Sequence, residues 1–321
     1  MALAFIHGTR DNGDGTFSEA SAPADSIGGG GGSLTLPIVV GTGAAATGGG
    51  IVAIGEYAEA SGANAIAIGT GESGTPYQAS GETSSAIGGA FNVASGPNSN
   101  VLAGANNLSS GNSASVVGAQ SAIASGDYSA VVGGIGNQSN GDNSVALGGG
   151  SNRADGDYSI ASGENCLSSN RGERAHSAGT FADYGDCQIL DLIARRETSD
   201  DTPTVLFFDG SSIPAVMTAG SQWTVEASIS GQTDVAGAKR ASCVRRFSIA
   251  RPTDEASTVI DGSVQTVGTD TGTNAGSPPA GWSFAITADT TNGGPVVTVT
   301  GEVDTTIRWA CHLRILQVIF P

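Results

Sequence analysis

From about residue 51 to 185 the chain alternates short apolar triplets with small polar clusters. Val-Ala-Ile-Gly begins at 52, Ser-Ala-Ile-Gly at 85, Ala-Val-Val-Gly at 130 and Val-Ala-Leu-Gly at 145. One glycine follows each triplet, at Gly55, Gly69, Gly88, Gly104, Gly118, Gly133, Gly148 and Gly163. A second closes each unit, at Gly81, Gly96, Gly111, Gly126, Gly141 and Gly156, in five successive steps of 15 residues. Self-similarity at a fixed period marks a solenoid or stacked array. A unit this short has no room for two helices. It suits two short strands and two tight turns, with glycine supplying the positive φ that such turns need. The spacing predicts about nine coils over 34–185, a shaft of roughly 40–45 Å at ~4.8 Å per coil. One step lengthens to 19 residues around 73–78, where a loop is expected to project.

Strand alternation then assigns faces. The middle residues of the triplets are mostly alanine (Ala53, Ala67, Ala86, Ala146), with Val116 and Val131 larger. Small residues fit inside a narrow two-strand coil. The residues just before the glycine are Ile54, Ile68, Ile87, Val117, Val132 and Leu147. This aliphatic row faces the other way and needs a partner surface, which three rolls packed around an axis would supply. These six are the candidate trimer-packing residues.

From about Asp186 the pattern changes to ordinary strands, at 188–198, 204–208, 222–230, 240–250, 257–267, 282–287, 296–300 and 306–319. Alternation is clear in Trp223-Thr-Val225-Glu-Ala227-Ser-Ile229 and Trp282-Ser-Phe284-Ala-Ile286. Asp-Gly, Asn-Gly-Gly and Pro-Pro pairs separate the strands. Eight short strands predict an antiparallel sandwich or jelly roll, with Trp223, Trp282 and Trp309 in its core. The chain therefore divides into an arm and Gly-rich hinge (1–33), a β-roll shaft (34–185) and a β-sandwich (186–321). Phe5, Ile6, Arg10 and Phe17 are the candidate docking residues of the arm, and the long polar segment 269–279 is the candidate receptor loop.

Composition narrows the function. Fifty of 321 residues are glycine and only 13% are charged, so little of the surface is charged, which favours burial of flat faces between copies. The net charge is −17 with one lysine, Lys239, which argues against a nucleic-acid partner and predicts repulsion from anionic surfaces unless contacts are specific. Arg240, Arg245, Arg246 and Arg251 are expected to pair with acids of neighbouring subunits. Cys166, Cys187, Cys243 and Cys311 form no Cys-x-x-Cys pair. Free buried thiols are expected, in keeping with assembly in a reducing cytoplasm. Neither a secretion signal nor a membrane span is expected. The segment 36–48 has strand-then-glycine character, but its spacing is wrong for a dinucleotide loop. No Gly-x-Ser-x-Gly or His-Glu-x-x-His is present, and the three histidines are far apart. Asp191, Asp209, Asp254, Glu255, Glu302 and Asp304 could in principle cleave glycans as a carboxylate pair. Acids on strand ends and turns are normally solvated, so the chain is expected not to be an enzyme and to hold no cofactor, metal or catalytic residue.

Units of the form x-Ala-Ile-Gly-x-x-Ala-x-Ala-Ser-Gly, over about 51–165, resemble the head repeats of trimeric autotransporter adhesins. That resemblance implies a left-handed parallel β-roll in which three chains intertwine. Arg-Ala-His-Ser-Ala-Gly-Thr-Phe-Ala-Asp-Tyr-Gly-Asp-Cys-Gln at 174–188 is similar to a join found in tailed-bacteriophage fibre and virion proteins. Leu-Phe-Phe-Asp-Gly, the run at 288–293 and Thr-Ile-Arg-Trp at 306–309 fit the same group. This implies a homotrimeric phage tail fibre or spike, assembled in the host cytoplasm and carried on the virion. Its arm would dock on another virion protein, and it would attach to a host surface glycan or protein. The alternatives are a capsid-bound decoration fibre or head spike, and a glycan-depolymerising tailspike.

Overall fold

The computed structural model describes residues 37–48, 52–75, 77–234 and 239–320, and the backbone of a short antiparallel pair, Thr9–Asp11 with Phe17–Glu19. The chain is all-β, and among the described residues the one helical element is a 3-10 turn at Glu255–Ser257. The first half is a parallel β-solenoid of about nine turns. Each turn contributes a strand to each of two sheets. One stack runs from Ile38–Val40 to Arg174–Ala178, the other from Ala45–Ala46 to Leu167–Ser168. The 15-residue period is the register itself, for Val101 pairs with Val116, Val116 with Val131 and Val131 with Ala146.

The inward residues Ala53, Ala67, Ala86, Val101, Val116, Val131 and Ala146 are fully buried, because two strands of one coil leave room only for small side chains. A ladder of asparagines satisfies backbone groups inside, while the buried Ser84, Ser99, Ser109 and Ser129 hydroxyls have no partner among the described residues. Asn137 Nδ2 donates to the carbonyls of Gly133 (3.0 Å) and Gly148 (2.8 Å), and its Oδ1 accepts from the backbone N–H of Asn152 (2.9 Å). Asn92, Asn107 and Asn152 repeat the pattern. The coil-closing glycines serve a purpose other than the expected one. Positive φ at these corners falls on Asn98, Ser113, Tyr128, Asn143 and Tyr158. Glycine is required at position 96 by close approach, since a Cβ there would lie 2.2 Å from the carbonyl oxygen of Gly111.

The chain reverses at 179–186, where the Asp186 carboxylate accepts the backbone N–H groups of Phe181, Ala182 and Asp183 at 2.6–3.0 Å. Strand Cys187–Thr198 then pairs antiparallel with the last solenoid strand, so one solenoid sheet runs on into the terminal region. Its order continues through Ile307–Ile319, Ser221–Thr233, Arg240–Arg251 and Val259–Thr266. The final strand is thus central. A three-stranded sheet of Thr204–Val205, Gly294–Thr300 and Ser283–Asp289 lies in the same core, where Leu206, Phe208, Ile286, Val297 and Val299 join Trp223, Ile229, Trp309 and Leu313. All three tryptophans are buried, and the rings of Trp282 and Trp309 meet edge to face with centroids 5.0 Å apart. The four thiols are unpaired, three of them buried and Cys187 half-buried.

Candidate functional site

The long terminal strands send alternate residues to the outer face, and pairing aligns them in rows that cross the sheet. The first row is apolar and continuous with the solenoid. Val40, Ile54, Ile68, Ile87, Leu102, Val117, Val132 and Leu147 are successive register partners. Ser162 and His176 extend the row, then Ile189 and Leu316. All six expected packing residues lie in it. Ile87, Val117, Val132 and Leu147 are 37–46% exposed, while Ile54 and Ile68 are half-buried. Of the expected docking residues, Phe5 and Ile6 lie outside the described residues. Arg10 and Phe17 belong to the short antiparallel pair, of which only the backbone is described.

Two residues along the strands, the second row alternates in charge: Arg174, Asp191, Arg314, Glu226, Arg246. Arg246 donates to Glu226 Oε2 from Nε at 2.8 Å and Nη2 at 2.6 Å. His312, in the next row, places Nε2 2.8 Å from Asp191 Oδ1. Opposite charges on neighbouring strands each contribute about 0.2–1 kcal/mol. A depression of about 350 Å³ opens here, lined by Ile189, Thr224, Glu226, Arg246, Arg314 and Leu316 among others.

The larger opening lies at the other end of the same strands. From Leu316 to Arg308 is eight residues, roughly 26 Å of extended chain. Here two rows, Arg195–Ala310–Ser230–Ser242 and Glu197–Arg308–Gln232–Arg240, bound a groove of about 690 Å³. Thr271 and Thr273 reach it from the segment singled out as the receptor loop, and Trp309 lies beneath. Arg195 is braced by donating to the carbonyls of Phe208 and Asp209, each at 3.1 Å. Arg308 Nε donates to Glu197 at 3.0 Å. The Arg240 guanidinium has no hydrogen-bond partner among the described residues.

The other three arginines of the expected basic stripe each pair with an acid of their own chain. Arg245 holds both oxygens of Asp270 at 2.6 Å, Arg246 holds Glu226, and Arg251 reaches Glu255 and the Met217 carbonyl. The candidate carboxylates scatter. Asp209 accepts from the backbone N–H groups of Ile213, Ser212 and Ser211, which hold its carboxyl well below the usual range. Asp254 caps the 3-10 turn, Glu255 pairs with Arg251, Glu302 pairs with Lys239 at 2.7 Å, and Asp304 has the positive φ of a turn. Only Asp191 reaches the outer face rows, where pairing brings it near Glu226, which sequence reasoning passed over. Arg195, Arg308, Ser230 and Ser242 were missed too. Their outward parity was readable, but their strand partners were not. No group of three metal-ligating side chains occurs among the described residues, and no helix there is long and apolar enough to cross a membrane.

No family model matches the chain, and no curated protein does. Three solved structures are similar over most of its length. The tailspike protein of Acinetobacter baumannii phage AM24 is 8% identical with a TM-score of 0.26, over 83% of this chain and 55% of that one. The tailspike protein of Acinetobacter phage vB_ApiP_P1 is 10% identical with a TM-score of 0.25, over 81% and 56%. Tailspike protein gp49 of Acinetobacter baumannii bacteriophage Fri1, a capsular polysaccharide depolymerase, is 8% identical with a TM-score of 0.25, over 84% and 47%. This chain spans about half the length of each. The expectation that the chain is not an enzyme is corrected here, because the Fri1 protein is described as an enzyme. The exclusion had rested on scattered acids, and strand register sets Asp191 and Glu226 on either side of Arg314. Likeness at these TM-scores assigns no activity to this chain.

Proposed function

We propose that the chain is part of a bacteriophage tail spike that holds host surface polysaccharide against the outer face of its terminal sheet. The observation that carries this is the groove at Arg195, Ser230, Ser242, Arg240 and Arg308. It is open and lined by hydroxyls, an amide and guanidinium groups, with the candidate receptor loop at its rim. Such a surface matches the hydroxyl-rich, flexible chain of a glycan. The resemblance of 174–188 to phage virion joins supports the setting.

The same reading includes self-association. The aliphatic row runs unbroken from Val40 to Leu147 and resumes at Ile189 and Leu316, a stripe of apolar side chains exposed or half-buried in a single chain. Three copies packed along it would bury the stripe, at about 25 cal/mol per Å² of apolar surface. Light scattering should return three times the 31.5 kDa of one chain, and V117D/L147D should lower that mass. A folded wild-type monomer would refute this part.

Glycan cleavage is the second reading, favoured by one observation. Asp191 and Glu226 stand two strands apart on the same face, roughly 9–10 Å between backbones at the usual strand spacing, and inverting hydrolases use two carboxylates set well apart. Capsular polysaccharide is the first probe. Incubation with the chain should give retention on host polysaccharide, and cleavage would add new reducing ends that D191N and E226Q abolish. Failure to retain any host polysaccharide would overturn the binding reading. Retention without reducing ends would overturn the cleavage reading alone.

A further inference from the structure

We propose that the groove at the Arg308 end of the terminal sheet is selective for an acidic sugar, its carboxylate seated between Arg240 and Arg308. This rests on the reading that the chain holds a polysaccharide, and it names the class.

The chain carries −17, and several cations of the terminal region are held by its own acids: Arg245 by Asp270, Arg246 by Glu226, Arg251 by Glu255, Lys239 by Glu302 and, at the groove itself, Arg308 by Glu197. The thirteen residues lining the groove include Arg195, Arg240 and Arg308 and no acid. Glu197 beside it takes a single bond from Arg308 Nε, and both terminal nitrogens of that guanidinium are without a partner among the described residues. Arg195 spends its terminal nitrogens on backbone carbonyls, so its charge has no carboxylate counterpart in those bonds. Arg240 has no partner among the described residues. In a molecule whose overall field repels anions, this groove gathers three guanidinium groups, of which only Arg308 has a carboxylate partner among the described residues.

The surroundings select the kind of anion. A guanidinium meets a planar carboxylate with two parallel N–H···O bonds, a match of shape as well as charge. Ser230, Ser242, Thr271, Thr273 and Gln232 supply donors and acceptors on the scale of ring hydroxyls. The one aromatic residue of the lining, Trp309, is buried, and its Nε1 donates to Thr198 at 2.9 Å. No exposed ring is therefore offered to stack a nucleobase, as single-stranded nucleic-acid sites do. Arg240 and Arg308 occupy the same row on either side of Gln232, two strands apart. That separation, roughly 9–10 Å between backbones, lets two long side chains converge on one sugar.

The test uses the full chain and calorimetric titration with oligomers of polygalacturonate, alginate and hyaluronan. Methyl-esterified polygalacturonate and dextran are the neutral counterparts. At least one acidic oligomer should bind, its neutral counterpart at least tenfold more weakly. R240Q and R308Q should each weaken binding several-fold, and R240Q/R308Q at least tenfold, with the thermal midpoint unchanged. Both side chains are exposed, so folding is not at risk. Equal affinity for charged and esterified oligomers, indifference to R240Q/R308Q, or no binding to any of the three acids overturns the proposal. If the chain still binds a neutral host polysaccharide, the attachment reading survives and only the acidic-sugar selectivity fails.

Discussion

Glu173 offers a sharp test of how the last solenoid coil is held. Its carboxylate is buried, with Oε2 accepting from the backbone N–H of Asn170 at 3.1 Å and from Asn170 Nδ2 at 2.6 Å. Oε1 has no hydrogen-bond partner among the described residues. Asn170 in turn exchanges two bonds with the backbone of Val216, tying the coil to the terminal region. Burial pushes the carboxyl up from the usual 4.5 to about 7, against the lowering effect of the Asn170 bonds. Below pH 4.5 the group is protonated in both folded and unfolded chains and contributes no pH dependence. As pH rises from 4.5 toward 7 the unfolded chain releases this proton and the folded chain keeps it, so stability falls. Above 7 the loss is complete. At about 1.4 kcal/mol per pH unit it amounts to about 3 kcal/mol. The nearby Cys166 thiol, raised by burial to about 11, stays neutral throughout. E173Q keeps the shape and removes the titration. Urea unfolding of both proteins from pH 4 to 9 should therefore give a difference that grows in favour of E173Q between pH 4.5 and 7, then levels at about 3 kcal/mol. Parallel curves across that window would show that Glu173 does not bury a charge, and the account of this junction would fall.

The solenoid interior gives three further outcomes. G126A should cost far more than G118A, because a Cβ at 126 meets the Gly141 carbonyl oxygen at 2.2 Å, whereas at 118 nothing lies within 4 Å and only the positive φ of 62° is strained. G118A should lose about 1–2 kcal/mol, and equal urea midpoints for the two variants would refute the close-approach account. N137A should cost about 2–4 kcal/mol, since it orphans two buried carbonyls and one N–H. A122N, which completes the ladder where alanine interrupts it, should gain about 1 kcal/mol in thermal unfolding. A loss instead would mean that the coil has no room for the amide.

The solenoid was readable because its contacts are local and repeated. When residue i pairs with residue i+15, the period in the sequence is the register in space, and parity alone separates Val116 inside from Val117 outside. What that logic could not supply was the reason for the closing glycines. Period shows that position 96 must be glycine, but either a positive φ or a close neighbour would produce the same letter. The terminal sheet is the opposite case. The eight strands could be placed from alternation and turn residues, yet their order depends on which pair across the sheet. The last strand enters between the first and the third, and no local pattern marks that choice. The groove lives on that order. Arg195, Gln232, Arg240 and Arg308 come from four strands, each outward by parity, and they become one surface only once Ile307–Ile319 is seated centrally. The same seating continues the aliphatic row through Leu316, so one strand carries the end of the apolar stripe at one end and the polar groove at the other. A substitution that disturbs this strand's pairing should therefore affect self-association and glycan retention together. Changes confined to Val117 or Arg308 should separate the two.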